Sequence, residues 1–170
     1  MKFRRATASD EQGLAKVRVD SWQVAYKGLI TDEFLQKITC QKREEAFRAA
    51  LEERKYEIYL AEVDDEAAGF VTIGACRDPD RDAHNCGEIW AIYISPAYWR
   101  RGIGKGLFQE AERFLLSRGF RKIVLWLLEG NTAACSFYEA MGFSPDGAVK
   151  IIDLGTPLKE MRYARDYPQD

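Results

Sequence analysis

The chain has 170 residues, of which 46% are hydrophobic, 12% aromatic and 31% charged. This hydrophobic share is enough to fill a core, which excludes a disordered or low-complexity protein. No window approaches eighteen consecutive apolar residues, so we expect no membrane span and no membrane partner. The net charge of −2 lacks the basic excess typical of nucleic-acid binders, so we expect no nucleic-acid partner.

The four cysteines, Cys40, Cys76, Cys86 and Cys135, are scattered and form no C-x-x-C pair. The N-terminus leads into polar residues and lacks the apolar stretch of a signal peptide. Together these features predict reduced thiols in a cytoplasmic protein. Cys76, His84 and Cys86 lie close in sequence, but a fourth ligand is missing and the spacing matches no zinc pattern, so we predict no metal site.

No internal repeat or Pro/Ser-rich linker interrupts the chain, so we predict one domain over residues 1–170. Apolar periodicity predicts, in chain order, a strand (2–7), a helix from 9 or 10 to 28, helices after 31–33 and over 41–54, strands 56–63 and 69–76, a polar loop (77–85), a strand (88–94), a helix (102–118), a strand (123–128), a helix (131–141) and a hairpin (149–154, 158–167). Leu14, Val17, Trp22 and Val24 are the expected apolar positions of the first helix. Together these helices and strands predict one mixed α/β layer.

A basic, glycine-rich turn joins strand 88–94 to the next helix, in the segment Trp99–Gly106 (WRRGIGKG). The first N–H groups of a helix lack intrahelical partners, and with the helix dipole they form an anion site. Glycines let an anion approach the backbone closely, and basic side chains add charge at the rim. The glycines are Gly102, Gly104 and Gly106, and the basic residues are Arg100, Arg101 and Lys105. The predicted ligand is a phosphate or pyrophosphate group.

Two familiar phosphate motifs do not account for this turn. A P-loop requires G-x-x-x-x-G-K-[ST], which the segment lacks, and the Rossmann fingerprint requires a glycine where Leu107 stands. A nucleotide-binding protein that uses the turn for ATP or NAD is therefore disfavoured. The alternative interpretation, a glycine-rich turn with solvated arginines and no bound ligand, remains open at this point.

The segment Trp99–Gly104 resembles the Q/R-x-x-G-x-G/A signature of the GCN5-related N-acetyltransferase (GNAT) superfamily, with Trp99 in place of the first Gln or Arg. A second segment, Asn131–Phe143 (NTAACSFYEAMGF), resembles the N-x-x-A-x-x-F/L-Y-x-x-x-G-F segment of the same superfamily. The resemblance implies an α/β fold with a single mixed, mostly antiparallel central sheet of about seven strands and helices on both faces. It also implies an N-acetyltransferase that transfers the acetyl group of acetyl-CoA to a primary amine by direct attack in a ternary complex.

The same resemblance implies which residues bind acetyl-CoA. Backbone amides of the glycine turn would hold the pyrophosphate, and strand 88–94 would offer backbone groups to the pantetheine arm where it splays from strand 123–128. The implied cofactor-binding residues are Ile92, Tyr93, Ile94, Trp99, Arg100, Arg101, Gly102, Ile103, Gly104, Lys105, Gly106, Asn131, Phe137 and Tyr138. Four of these positions have an alternative explanation, because Ile92–Ile94 also suits the core and Asn131 also suits a helix cap.

Two catalytic residues follow from the resemblance. Tyr138 is the expected acid that protonates the departing thiolate; the alternative is a half-buried tyrosine whose hydroxyl bonds to a carbonyl. Glu88 is the expected base, directly or through a water; the alternative is a strand-end glutamate in an ion pair. Trp22 and Tyr26 are candidates for the wall of the acceptor site, although their helical spacing favours the alternative that they are core aromatics.

The acceptor is expected to be a small-molecule amine. A non-catalytic acyl-CoA sensor and a protein N-terminal or lysine acetyltransferase remain alternatives. The closing hairpin offers edge strands that could pair across a homodimer.

Overall fold

The structure, a computed structural model, describes residues 1–168. Seven strands and five helices follow one another along the chain, with single 3-10 turns at Ala8–Asp10 and Pro96–Tyr98. Their bounds are β1 Lys2–Arg5, α1 Glu11–Ala25, α2 Asp32–Gln36, α3 Cys40–Glu52, β2 Glu57–Val63, β3 Glu66–Ala75, β4 Cys86–Ile94, α4 Ile103–Ser117, β5 Lys122–Leu128, α5 Thr132–Ala140, β6 Ser144–Asp153 and β7 Pro157–Asp166.

The seven strands form one sheet in the order β1-β2-β3-β4-β5-β7-β6. Strands β4 and β5 run parallel, and the other adjacent pairs are antiparallel. One face is covered by α4 and α5, and the opposite face by α1 and α3. The predicted fold class, a mixed and mostly antiparallel sheet with helices on both faces, is confirmed.

Each face of the sheet has its own apolar core. The amphipathic stripe of α4 includes Leu107, Ala111 and Leu115, which are fully buried against residues such as Ile123 of β5. On the other face, a second cluster joins α1 and α3 to strands β2 and β3; it comprises Leu14, Ala15, Val17, Phe47, Ile58, Leu60 and Phe70. Strand β5 is covered on both sides, as its continuous apolar run predicted.

The two parallel strands separate soon after they meet. Only three residue pairs join them, Cys86–Glu88 of β4 with Lys122–Val124 of β5. Next to this point, β4 pairs with β3 across a register shift that leaves Trp90 as an extra residue. Such a bulge bends its strand. The edge of β4 from Ile89 onward is therefore free of β5, which opens a wedge in the middle of the sheet.

Several element predictions need correction. Helix α1 ends at Ala25 and not at Gly28, and strand β3 begins at Glu66 and not at Gly69. Strand β1 ends at Arg5 and not at Thr7. Val24 was expected in the core, but it is 50% exposed on α1. Strand β6 begins at Ser144 and not at Val149. The sequence did not indicate its first half, because this irregular stretch contains Pro145 and Gly147, which are poor strand formers.

The helices are short as well as amphipathic. Within residues 1–168, no helix is long and apolar enough to cross a lipid bilayer.

Candidate active site

The corner between β4 and α4 has an unusual backbone. Arg100 has φ of +60° and Gly102 has φ of +79°, so two residues of a three-residue stretch are left-handed. This conformation costs a non-glycine residue roughly 1 kcal/mol or more, and alternating handedness forms an anion-binding concavity of N–H groups. The first hydrogen bond within α4 runs from Gly106 N–H to Gly102 C=O, 3.1 Å. The N–H groups of Ile103–Lys105 precede that bond and remain available to an anion.

Basic side chains surround this corner. Arg100, Arg101 and Lys105 are all exposed. The guanidinium carbon of Arg101 lies 5.4 Å from the ring centroid of Tyr98. The corner therefore combines free amides with three exposed cations, an arrangement that suits a pyrophosphate.

The two later glycines of the corner face different surroundings. A Cβ on Gly104 would lie 3.1 Å from Ile94 Cδ1 and 3.4 Å from a ring carbon of Phe137. A Cβ on Gly106 would lie 2.1 Å from the ring of Phe3, in the core under β1. Gly106 was expected to bind the cofactor, but the structure turns it toward the core and uses its N–H within the helix. The sequence spacing alone could not separate these two roles.

Trp99 takes the place of the expected Gln or Arg. Its Nε1–H donates to the carbonyl of Ile94, 2.7 Å, and its ring is 43% exposed. The bond ties the corner back to the end of β4. Ser95 N–H donates to the carbonyl of Ala68 on β3. Successive residues of a strand direct their backbone N–H and C=O groups to opposite sides, so those of Ile94 and Ile92 point toward the wedge between β4 and β5.

Two adjacent spaces, which share lining residues such as Ile92 and Tyr138, occupy the wedge between β4 and β5. The outer groove, of about 420 Å³, lies next to Trp99 and is lined by Ser21, Val24, Ala25, Ile92, Ile94, Trp99, Asn131, Ala133, Ala134, Phe137 and Tyr138. The inner cavity, of about 190 Å³, is lined by Ser21, Trp22, Ala25, Tyr26, Ile89–Tyr93, Leu125–Leu128, Asn131, Ala134, Tyr138, Ile152, Leu154 and Glu160. Val24 is exposed because it faces the outer groove.

Tyr138 lies where the two spaces meet, since it lines both. The residue is only 6% exposed. Burial raises the pKa of its hydroxyl, and the neighbouring Tyr93 adds to the effect. The tyrosine hydroxyls that form hydrogen bonds within residues 1–168 are those of Tyr59, Tyr98, Tyr163 and Tyr167. The expected alternative, a Tyr138 hydroxyl bonded to a carbonyl, is therefore absent from this part of the chain.

Asn131 is both a cap and a lining residue. Its Oδ1 accepts a hydrogen bond from Ala134 N–H, 3.2 Å, at the start of α5. The side chain also contributes to both spaces. Phe137 and the segment Ile92–Ile94 likewise adjoin the groove or the cavity, although Tyr93 lines the inner cavity only.

Glu88 lies outside both spaces. Its carboxylate is buried, with the residue 1% exposed, and it accepts three hydrogen bonds from Arg77. The backbone N–H and Nε of Arg77 donate to Oε2 at 3.0 and 3.1 Å, and Nη2 donates to Oε1 at 2.5 Å. The arginine also stacks on Trp90, 4.2 Å from its ring centroid. The structure thus shows the ion pair that was the alternative role for Glu88.

The carboxylate that does line the inner cavity is Glu160. It lies on β7 opposite Leu128 of β5, and Lys150 Nζ approaches its Oε2 to 3.2 Å. Sequence reasoning missed this residue. Glu160 belongs to a hairpin far from both motifs, and no local pattern distinguishes it from the other charged residues of β7.

Trp22 and Tyr26 both lie on the wall of the inner cavity, on the side formed by α1. Their rings are in edge contact, with centroids 4.7 Å apart. Burial raises the pKa of Tyr26, with smaller contributions from Tyr93 and Glu160. Trp22 also belongs to a small apolar cluster with Ile30 and Leu35, so its cavity and core roles coexist.

Comparison with known proteins agrees with this geometry. The model of the acetyltransferase (GNAT) family matches residues 22–143. The uncharacterized N-acetyltransferase YuaI of Bacillus subtilis (strain 168) is 29% identical over 93% of this chain and 88% of its own length. The spermidine N(1)-acetyltransferase of Thermoplasma acidophilum is 24% identical over 84% of this chain and 88% of its own length.

Solved structures show the same fold. The crystal structure of PaiA N-acetyltransferase from Thermoplasma acidophilum, in complex with coenzyme A, superposes with a TM-score of 0.77 at 23% identity and covers 98% of each chain. The family match spans most of this chain, so the protein belongs to the GNAT family and is an acetyl-CoA-dependent N-acetyltransferase.

Proposed function

We propose that this enzyme acetylates the primary amine of a small molecule by direct attack in a ternary complex. The position of Tyr138 carries the proposal. Its buried hydroxyl lies where the outer groove, which adjoins the glycine corner, meets the inner cavity. A group at that junction can touch the sulfur of a thioester delivered through the groove and an amine delivered through the cavity.

In this proposal the residues of the corner and the wedge hold acetyl-CoA, which supplies the acetyl thioester. The amides of Ile103–Lys105 bind the pyrophosphate, with Arg100 and Arg101 at the rim. The backbone groups of Ile92 and Ile94 bind the pantetheine arm, and one N–H stabilises the oxyanion that forms during attack. Trp99, Asn131 and Phe137 complete the walls of the groove.

The transfer forms a bond between the amine nitrogen and the acetyl carbon and breaks the carbon–sulfur bond. Tyr138 donates its proton to the departing thiolate. The raised pKa of this hydroxyl keeps it protonated at neutral pH, so the acid is ready for the reaction. The amine must shed a proton before or during attack, and a carboxylate that faces the inner cavity is the natural acceptor of that proton.

Glu160 fits this proton-accepting role better than Glu88. Glu160 lines the cavity directly, whereas the carboxylate of Glu88 is held by three bonds from Arg77. A carboxylate so fully bonded has little capacity left to take a proton. We therefore propose Glu160 as the base, with Glu88 fixing Arg77 and the loop that follows β3.

The size of the inner cavity favours a small acceptor. A volume of about 190 Å³ is below the roughly 300–1,000 Å³ of pockets for drug-sized ligands. Trp22 and Tyr26 would enclose the acceptor, which leaves little room for a folded protein surface. The similarity to a spermidine acetyltransferase also supports an amine acceptor.

Replacing Tyr138 with Phe tests the mechanism. We expect kcat to fall about ten- to a thousandfold, because the thiolate leaves without a positioned acid, while the Kd for acetyl-CoA stays the same. Thiol release from acetyl-CoA over a panel of amines measures kcat, and calorimetry measures Kd. Tyr59→Phe is the matched control, since its hydroxyl bonds to Arg5 away from the groove.

An unchanged kcat for Tyr138→Phe at saturating substrates would remove this residue from the mechanism. If the wild-type protein binds CoA but turns over no amine in the panel, the sensor function replaces the enzymatic one.

A further inference from the structure

A group of hydrogen-bond donors without acceptors lies on the α1 and α3 side of the sheet. Seven buried side-chain nitrogen or oxygen atoms lack a hydrogen-bond partner within residues 1–168. Four of the seven belong to one neighbourhood: Nε of Arg18, Nε1 of Trp22, Nε of Arg43 and Nε1 of Trp90. We call these four residues the donor cluster. They come from α1, α3 and β4, so only the fold brings them together.

The donor cluster adjoins the inner cavity. Trp22 and Trp90 line that cavity. The guanidinium carbon of Arg18 lies 5.1 Å from the ring centroid of Trp22 and 5.4 Å from that of Tyr93, another lining residue. Trp90 contacts Tyr56, with ring centroids 4.8 Å apart. The space next to these rings is thus the acceptor side of the wedge.

The charge of the donor cluster is uncompensated. Burial lowers the pKa of Arg43, and the positive charge of Arg18 lowers it further. The other charges that act on Arg43 are the weak effects of Tyr93 and Tyr56, with no carboxylate among them. Within residues 1–168, neither Arg18 nor Arg43 forms a salt bridge, whereas nearby Arg77 is paired with Glu88.

Two partly buried guanidinium groups and two indole N–H groups present donors only, since neither side chain has an acceptor. Their Nε and indole N–H groups are buried without partners, which is costly, and an oxyanion is the ligand that would satisfy such a set. Arginine is also the side chain whose geometry suits carboxylate and phosphate groups. Glu160, on the β7 wall of the same cavity, offers the opposite charge to an ammonium group.

We propose that the acceptor is a small amine that also carries an oxyanion, and that the donor cluster binds this oxyanion while the amine faces Glu160 and Tyr138. The inference rests on the proposed function, because it assigns the acceptor of the same site. Carboxylate and phosphate share the chemistry required. A polyamine presents only cations to Arg18 and Arg43 and is a poor ligand.

The experiment compares matched amines that differ by one oxyanion. Phenylalanine is paired with phenethylamine, lysine with cadaverine, and phosphoethanolamine with ethanolamine, and spermidine is included as a polycation. Each is titrated into protein saturated with CoA, with affinity read by calorimetry. We expect the oxyanion-bearing member of at least one pair to bind ten or more times tighter than its partner. The two kinds of pair separate carboxylate from phosphate.

Arg43→Gln should remove this preference without changing the Kd for CoA. Arg48→Gln, on the same helix, is the matched control, because Arg48 is exposed and paired with Glu11. Thermal melting first establishes that each variant is folded, and Arg18→Gln provides a second variant in the same assay.

Tighter binding of spermidine or of the amines without an oxyanion, or no binding by any oxyanion-bearing amine, overturns the inference. An unchanged preference in both arginine variants overturns it as well. The proposed function is judged separately. It fails if no amine is acetylated although CoA binds, and it stands if acetylation proceeds with amines that lack an oxyanion.

Discussion

At the scale of single residues, the two glutamates considered as the base have different surroundings. Glu88 is fully buried and bonded to Arg77, and Glu160 borders the inner cavity beside Lys150. Both are charged residues on central strands, so their sequence contexts do not separate them. Their surroundings do, because Glu88 is bonded to Arg77 outside both spaces, whereas Glu160 lines the inner cavity.

Glu160→Gln should lower kcat/KM on the order of a hundredfold at neutral pH, because the amide cannot take the proton of the amine. The acidic limb of the pH–rate profile should flatten in this variant. Glu88→Gln should keep the shape of the profile while lowering the melting temperature, because it weakens the bonds to Arg77. If Glu88→Gln changes the profile and Glu160→Gln does not, the two roles are reversed.

At the scale of elements, two glycines within three residues at the start of α4 have different roles, one in the proposed binding of CoA and one in the packing of the core. A Cβ on Gly104 would meet Ile94 and Phe137, which line the outer groove, and a Cβ on Gly106 would meet Phe3 in the core. A side chain at the first position fills the groove, and a side chain at the second displaces an aromatic ring.

Gly104→Val should therefore raise the Kd for CoA at least tenfold and leave the melting temperature nearly unchanged. Gly106→Ala should do the reverse and reduce the free energy of unfolding by about 1–3 kcal/mol, because it overpacks the core. Calorimetry with CoA and urea denaturation of both variants provide the comparison. A normal CoA affinity in Gly104→Val would refute the proposed binding corner.

A charged contact joins β1 to the turn that precedes α1. Arg4 bonds to both carboxylate oxygens of Asp10, each at 2.8 Å, and lowers the pKa of that carboxyl from 3.8 to about 2. A group with a lowered folded-state pKa stabilises the protein above its unfolded pKa, and loses that effect as the pH falls toward 2.

Asp10→Asn should thus cost about 1 kcal/mol of stability at pH 7, after allowance for the partial exposure of Arg4, and progressively less between pH 4 and pH 2. Urea denaturation over this pH range measures the difference. Asp20→Asn, which breaks an exposed pair with Lys16, serves as the control. A difference that stays constant with pH would assign the stability to something other than the ion pair.

At the scale of the whole molecule, features specified by local sequence could be predicted, and those that depend on distant segments could not. The glycine turn before α4 and the cap at Asn131 follow from residue type and spacing. The partnership of Arg77 with Glu88, the position of Glu160 in the cavity and the bulge at Trp90 depend on how strands meet.

The same limit applies to Arg162. This buried residue bonds to Asp78, Asp80 and Asp146, which joins the loop after β3 to the β6–β7 hairpin. Its partners lie 16 to 84 residues away in sequence, so only the polar character of the loop could be predicted. The homodimer expected from this hairpin stays a prediction, with Val149 and Ile151 exposed on the edge strand β6.

If the coenzyme binds as proposed, the parting of β4 from β5 would give it a part in the architecture as well as in the chemistry. An amide-bearing arm laid along Ile92 and Ile94 would act as a substitute strand and complete the interrupted ladder. Deuterium uptake at these two amides should therefore be fast in the protein alone and slow at least tenfold with CoA, while amides of β2 and β3 exchange at the same rate in both states.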